Sequence, residues 1–252
     1  MNIGFLGSGH ITSSIIEGIF KSKLKIKKIY ISPRNKLISK KISKRFKKVT
    51  IATNNQQVID RSNWVFLAVT PQVGSKILNK LKFSKNKKII SLISTINLEK
   101  LKKYTKNKNI CRVIPLPFIG MRKGPIIICP KNNQLKIFFK HLGKVIELNN
   151  EKTSKAFWST SSFMASFYFL LNHTSNWLTS KGIKRKDAED YTRELFLALS
   201  EDAMNKNKIS LNQLVLESQT PGGTNAYVLK QLKKKKFYKV QQKVLNSIFK
   251  KF

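Results

Sequence analysis

The first twelve residues limit the possible folds of this chain more than any other stretch. Asn2-Ile3-Gly4-Phe5-Leu6 is a short apolar run that Gly7-Ser8-Gly9-His10-Ile11-Thr12 breaks with closely spaced glycines. Apolar residues then resume at helical spacing at Ile15, Ile16 and Ile19. This order predicts a strand, a tight turn and a helix. A dinucleotide-binding turn needs that arrangement. Gly7 lets the chain reverse, Gly9 leaves no side chain between the backbone and a pyrophosphate, and the following helix aims its N–H groups at the anion. Gly7, Gly9, His10 and Ile11 are therefore the expected pyrophosphate cradle. The third small position is Thr12 instead of glycine, so the fingerprint is imperfect, and glycine-rich turns also occur in other α/β folds. Its place directly after a strand and ahead of a helix favours the dinucleotide reading.

The alternation continues downstream. Lys28 to Ser32 reads as a second strand, Lys36 to Phe46 as a helix and Val49 to Ala52 as a short strand, with Asn54 or Asn55 able to cap the next helix. Trp64 to Val69 and Ile89 to Ser94 are apolar on both faces, as strands of a covered parallel sheet are. A helix from Leu98 and strands at Ile110 to Ile114, Gly124 to Cys129 and Lys144 to Leu148 complete the series. The expected class is α/β, with a doubly wound, mostly parallel sheet over residues 1–150. Beyond Glu151 strand patterns end. Glu151 to about Thr179 predicts one long apolar helix, with His173 buried near Trp177. Helices are also expected from Lys186 to Asn205, Ser210 to Ser218, Gly223 to Leu232 and Phe237 to the end, so residues 151–252 form an all-α part. A helix that is apolar nearly all round needs cover on several sides, which predicts a second copy of the chain as partner.

Ligands of doubly wound sheets bind at the carboxyl edge. At Ser32-Pro33-Arg34-Asn35 an NAD-selective protein would place an acid on the ribose hydroxyls, whereas a 2′-phosphate takes donors and positive charge. Ser32 and Arg34, with no acid beside them, favour NADP, although an exposed arginine is common in a chain this basic. At the same edge Thr70-Pro71-Gln72 ends a strand and opens a helix.

The chain carries 50 basic and 12 acidic residues, a net charge of +38. Such an excess ordinarily suggests nucleic acid or a membrane surface. Here lysine is spread over every element and arginine is sparse, so no specific nucleic-acid face is expected. The charge is uneven: residues 1–150 hold four acids against 32 basic side chains, leaving +28, and the remainder leaves +10. The denser positive field lies over the half expected to hold a phosphate-bearing cofactor. Cys111 and Cys129 lack ligand spacing and predict buried free thiols, and no metal site is expected. The most apolar run, Phe163 to Leu171, falls short of the roughly 20 residues a membrane span needs. No room for a signal peptide precedes the glycine turn, so a cytoplasmic protein is expected.

The turn Thr220-Pro221-Gly222-Gly223-Thr224-Asn225 is the second informative stretch. A Pro-Gly-Gly run opening a helix exposes backbone N–H groups able to hold a carboxylate, and it can equally be a plain helix-to-helix turn. Taken together, the chain resembles the pyrroline-5-carboxylate reductase family. Gly4 to Thr12 is similar to its cofactor turn, Leu67 to Gln72 to its Val-Lys-Pro-Gln strand exit, Arg112 to Pro117 to its Arg-Ala-Met-Pro-Asn-Thr-Pro segment, and Thr220 to Asn225 to its Ser-Pro-Gly-Gly-Thr-Thr signature. The resemblance implies a Rossmann-type domain followed by an all-α dimerisation domain, and NADPH-dependent reduction of a cyclic imine, 1-pyrroline-5-carboxylate, to proline. It implies that Val69, Thr70 and Pro71 line the nicotinamide side. It further implies that Thr220, Gly222 and Gly223 bind substrate, and that Thr224 and Asn225 stand at the reacting imine. Three departures fall where the chemistry belongs. The family's lysine is Thr70, its asparagine corresponds to Leu116, and its second signature threonine is Asn225.

An imine is reduced by hydride transfer to carbon with the nitrogen protonated, and a cyclic imine can carry that proton from solution, so orientation of two ligands is the main demand. No strong acid–base constellation opposes this. His10 sits in the cofactor turn, while Asp187, Glu189, Asp190, Glu194, Glu201 and Asp202 read as a solvated helix face. Related readings are a reductase of a different imine or keto acid, and an NADP-binding protein without catalysis.

Overall fold

Apolar residues on both sides of the central strands set the architecture of this chain, a computed structural model describing residues 1–251. The strands are β1 (Asn2–Leu6), β2 (Lys28–Ile31), β3 (Val49–Ile51), β4 (Trp64–Leu67), β5 (Lys88–Ser91), β6 (Ile110–Ile114), β7 (Pro125–Cys129) and β8 (Lys144–Glu147). They form one sheet in the order β3-β2-β1-β4-β5-β6-β7-β8. The helices among and after them are α1 (His10–Lys21), α2 (Lys36–Arg45), α3 (Asn55–Asp60), α4 (Pro71–Ile77), α5 (Leu98–Thr105) and α6 (Asn133–Lys140). They continue as α7 (Glu151–Ser161), α8 (Met164–Ser180), α9 (Arg185–Asn205), α10 (Leu211–Glu217), α11 (Thr224–Lys234) and α12 (Phe237–Phe249).

Neighbouring strands are parallel except β6 and β7. That reversal follows from the short link between them, where Pro117–Met121 forms a 3-10 turn and Arg122 and Gly124 take positive φ. The side-chain period of two sorts the core onto two faces. Phe5, Phe66, Ile90 and Val113 pack with Ile15, Ile16 and Ile19 of α1 and Phe138 and Phe139 of α6. Leu6, Val65, Leu67 and Ile89 pack with Val58 and Ile59 of α3 and Leu101 of α5. Each such fully buried side chain contributes roughly 1.5–3 kcal/mol. Asparagines start several of these helices: Asn35, Asn54, Asn97 and Asn132 each accept an N–H of the following first turn. Of the two capping candidates ahead of α3, Asn54 is the cap, and Asn55 is turned to another task.

The chain divides into two compact units, Met1–Trp158 and Ser159–Lys250, so α7 begins in one and ends in the other. The single long helix expected from Glu151 is two helices. Ser162 and Phe163 donate to carbonyls three residues back, Ser159 and Thr160, which tightens and ends α7 before α8 begins. The reason is the run Ser159-Thr160-Ser161-Ser162, hydroxyl residues that compete for backbone hydrogen bonds in a helix interior. His173, expected to be buried, is exposed and stacks on Phe169. Among the described residues α8 buries only Ser175, α9 only Ala188 and Thr192, and α10 to α12 none. Phe169 and Trp177 are 68% and 58% exposed in the single chain. No helix among the described residues is long and apolar enough to cross a membrane.

Candidate functional site

β1 pairs with β2 on one side and β4 on the other, so the connections leave in opposite directions and open a crevice at the carboxyl ends of β1 and β4. A cleft of about 670 Å³ occupies it. Three loops line it: Gly7, Ser8 and Gly9 after β1, Arg34, Asn35 and Lys36 after β2, and Ala68, Val69 and Thr70 after β4, with Val73 from α4.

The glycine turn is built by close contact. Gly7 has φ +111°, and a Cβ there would run into the Ala68 carbonyl, so no other residue fits. Gly9 is different: its φ is ordinary and an added Cβ would meet nothing within 4 Å, because it would project into open space. Gly9 caps α1 without a side-chain bond, and no acid lies in the first turn of that helix. The N–H groups at the start of α1 therefore face the opening with the positive end of the helix dipole. The buried Ser8 hydroxyl finds no partner in the protein. An orphaned hydroxyl, an uncapped helix end and a space that a Cβ would fill are the features a pyrophosphate requires, so these residues fit a dinucleotide. Thr12, at the position where the fingerprint has its third glycine, is fully buried and donates its hydroxyl to the Gly7 carbonyl at 2.9 Å.

Of the residues expected from sequence to hold a cofactor, Gly7, Gly9, Arg34, Val69 and Thr70 are brought together at the cleft. His10 and Ile11 begin α1, and Pro71 is the first residue of α4, so all three adjoin it along the chain. Ser32 is not at the cleft surface. It is 2% exposed, and its hydroxyl accepts the Gly7 N–H at 3.0 Å and lies 2.7 Å from Asn55 Oδ1, which corrects its expected role as a donor to a phosphate. Ser32 follows the last residue of β2 and is held inward by its bonds to Gly7 and Asn55, whereas Arg34, beyond Pro33, is exposed. Ser8, Asn35, Lys36 and Val73 were not singled out from sequence. Lys36 was legible as a second cation beside Arg34, whereas Asn35 chiefly caps α2 by accepting from the Ile38 N–H at 3.2 Å. Arg34 and Lys36 are exposed and make no ion pair among the described residues.

The Pro-Gly-Gly turn belongs to the second unit. Gly222 has φ +73°, the Gly223 N–H closes the turn on the Thr220 carbonyl at 2.8 Å, and Gly223 caps α11 without a side-chain bond. Thr220, Thr224 and Asn225 are exposed around this helix start, and Asn225 Nδ2 donates to the Ser218 carbonyl at 3.2 Å. Neither cluster contains a carboxylate or thiol. Cys111 and Cys129 are buried free thiols, and burial pushes Cys111 up to about 11.

A glycine turn and an uncapped helix start at the switch point of a mostly parallel sheet define a Rossmann-type dinucleotide-binding domain, here followed by an all-α domain. Residues 2–97 match the family described as NADP oxidoreductase coenzyme F420-dependent, and residues 151–252 match pyrroline-5-carboxylate reductase dimerisation. The chain thus joins an NADP-oxidoreductase-type domain to a domain of the pyrroline-5-carboxylate reductase dimerisation type. It is 22% identical to the pyrroline-5-carboxylate reductase of Pisum sativum over 92% of this chain and 88% of that protein. The 1-pyrroline-5-carboxylate reductase of Streptococcus pyogenes superposes with a TM-score of 0.86 at 20% identity, covering 100% of this chain and 97% of that one. The Plasmodium falciparum pyrroline carboxylate reductase, solved with NADP bound, gives 0.84 at 20% identity over 100% and 96%.

Proposed function

We propose that this protein reduces a cyclic imine bearing a carboxylate, 1-pyrroline-5-carboxylate to proline, with NADPH. The observation that carries the cofactor part is the cleft that gathers Gly7, Gly9, Arg34, Val69 and Thr70 at the switch point. The reduced nicotinamide, when bound, supplies a hydride to the imine carbon. The chain's own residues bind and orient. Gly9 and the first N–H groups of α1, from His10 and Ile11, receive the pyrophosphate. Arg34 and Lys36 provide the positive charge that a 2′-phosphate takes, and Val69, Thr70 and Pro71 border the nicotinamide. Thr220, Gly222 and Gly223 hold the substrate carboxylate at the uncapped start of α11. Thr224 and Asn225 orient the imine, whose proton comes from solution because neither a threonine hydroxyl nor an asparagine amide is a proton donor of suitable strength.

A related reductase of another imine or keto acid is the second reading. It is favoured by Asn225, whose amide is held by the Ser218 carbonyl where the family has a threonine. The test mixes the purified protein with NADPH and pyrroline-5-carboxylate and follows nicotinamide absorbance, with Asn225→Thr alongside. Turnover by the wild type supports the first reading. Intact NADPH binding without turnover, and recovery in Asn225→Thr, moves the assignment to the second.

A further inference from the structure

We propose that Ser32 and Thr12 are positioning residues that clamp both polar groups of Gly7, and that Asn55 orients Ser32 for this role. The inference rests on the reading of the cleft as a dinucleotide site. Ser32 Oγ, at the end of β2, accepts the Gly7 N–H at 3.0 Å. Thr12 Oγ1, in the first turn of α1, donates to the Gly7 carbonyl at 2.9 Å. Both side chains are buried, so neither competes with water. Asn55 Oδ1 lies 2.7 Å from Ser32 Oγ, and the Phe5 carbonyl lies at 3.2 Å. Both are acceptors, so the single hydroxyl proton goes to one of them, the nearer being Asn55. A lone pair is thereby left facing Gly7.

The consequence is specific. A glycine at φ +111° is the most freely moving residue the chain could place there, and an anion-binding turn loses affinity when its N–H groups must be ordered on binding. The two hydroxyls fix that residue in advance, from β2 on one side and α1 on the other. They also occupy both of its hydrogen-bonding groups, so the pyrophosphate is received by the residues that follow, Ser8 to Ile11. Thr12 is therefore not a damaged third glycine; its hydroxyl contributes what a glycine there lacks. Since neither hydroxyl lines the cleft, the clamp acts on the pyrophosphate cradle and is blind to the 2′-phosphate.

The test titrates NADPH and NADH into the full-length protein by nicotinamide fluorescence, for the wild type and for Ser32→Ala, Thr12→Val, Thr12→Ser, Asn55→Ala and Arg34→Ala. Melting temperature without nucleotide is measured for each variant. Ser32→Ala and Thr12→Val are expected to weaken both nucleotides by the same factor, roughly 3- to 10-fold, the worth of one ordered hydrogen bond. Thr12→Ser, which keeps the hydroxyl, restores binding. Combining Asn55→Ala with Ser32→Ala weakens it no further than Ser32→Ala alone, because Asn55 acts through Ser32. Asn55 is only partly buried, so its variant stays informative if Ser32→Ala fails to fold. Arg34→Ala lowers affinity for NADPH alone. A selective loss of NADPH in Ser32→Ala would place its hydroxyl on the 2′-phosphate and overturn the clamp while leaving the cofactor reading intact. Unchanged binding of both nucleotides by folded Ser32→Ala and Thr12→Val also overturns it. A wild type that binds neither nucleotide overturns the cofactor reading, and the clamp with it.

Discussion

The Arg112 guanidinium on β6 meets the carboxylate of Glu151, the first residue of α7, at 2.6 Å. The same carboxylate accepts the Leu98 N–H at the start of α5, at 2.8 and 3.1 Å. The guanidinium also donates to the carbonyls of Ile93 and Ser94 and lies 6.0 Å from the centre of the Trp158 ring. One ion pair thus ties the middle of β6 and the exit of β5 to the starts of α5 and α7.

The two partners differ in burial, and that sets the expected asymmetry between their removals. Arg112 is 5% exposed and Glu151 23%. Glu151→Ala leaves a buried cation without its counter-charge and is expected to lower stability by about 3 kcal/mol. Arg112→Met leaves a carboxylate that reaches water and keeps the Leu98 N–H, so its loss is expected to be smaller. Urea unfolding of both variants measures the order, and a larger loss for Arg112→Met would contradict it.

The two glycines of the turn separate fold from binding. Gly7→Ala forces a positive φ on a side-chain-bearing residue and drives its Cβ into the Ala68 carbonyl. It is expected to destabilise the protein by about 2 kcal/mol or more and to lose nucleotide binding as well. Gly9→Ala meets no neighbour, so stability should stay within about 0.5 kcal/mol of wild type. Its methyl group projects where the pyrophosphate must approach, and NADPH affinity is expected to fall by roughly 10-fold or more. Thermal unfolding paired with a nucleotide titration reads both quantities. Equal effects of the two substitutions on stability would refute the separation.

Strands and their order of appearance were legible because each is a run of apolar residues bounded by breakers, and a covered parallel sheet demands that pattern. Gly7 and Gly9 were legible for the same reason: spacing and position reveal a tight turn. The inward turn of Ser32 was not legible, since whether a strand-end hydroxyl faces a ligand or the neighbouring loop depends on Asn55, 23 residues later. The break between α7 and α8 was masked because apolar residues continue at helical spacing across it, while the competing hydroxyls act locally. His173 was misplaced by a related limit. Apolar neighbours such as Phe169 and Trp177 imply burial, and in the single chain that burial is absent.

Those exposed aromatics carry the third prediction. α8, α9 and α12 present Phe169, Trp177, Tyr191 and Val240 to solvent in one chain, and exposed apolar side chains of this size mark interaction surfaces when they form a patch. With residues 151–252 matching a dimerisation family, sedimentation is expected to give at least a dimer at micromolar concentration. Phe169→Glu together with Trp177→Glu is expected to shift it toward monomer and to lower the melting temperature, because association and folding are linked. A wild-type monomer would contradict this.

The last prediction concerns acid. On β8, Glu147 is bonded at 2.6 Å by Lys136 of α6, and that ammonium holds its carboxyl below the usual carboxylate range. The Asn132 N–H adds to this at 3.2 Å. A carboxyl with a folded-state value below its unfolded one, about 4.3, takes up its proton earlier in the unfolded chain. Its stabilising contribution is therefore fully present above the unfolded value and is lost as pH falls through the folded one. Lys136 is partly exposed, so Lys136→Met is expected to lower stability by only about 0.5–1 kcal/mol at pH 7. The gap between wild type and variant should close on acidification below the folded value and shrink in high salt at neutral pH. Urea midpoints across that pH range measure the gap, and a difference that grows on acidification would show that the ammonium does not act on Glu147.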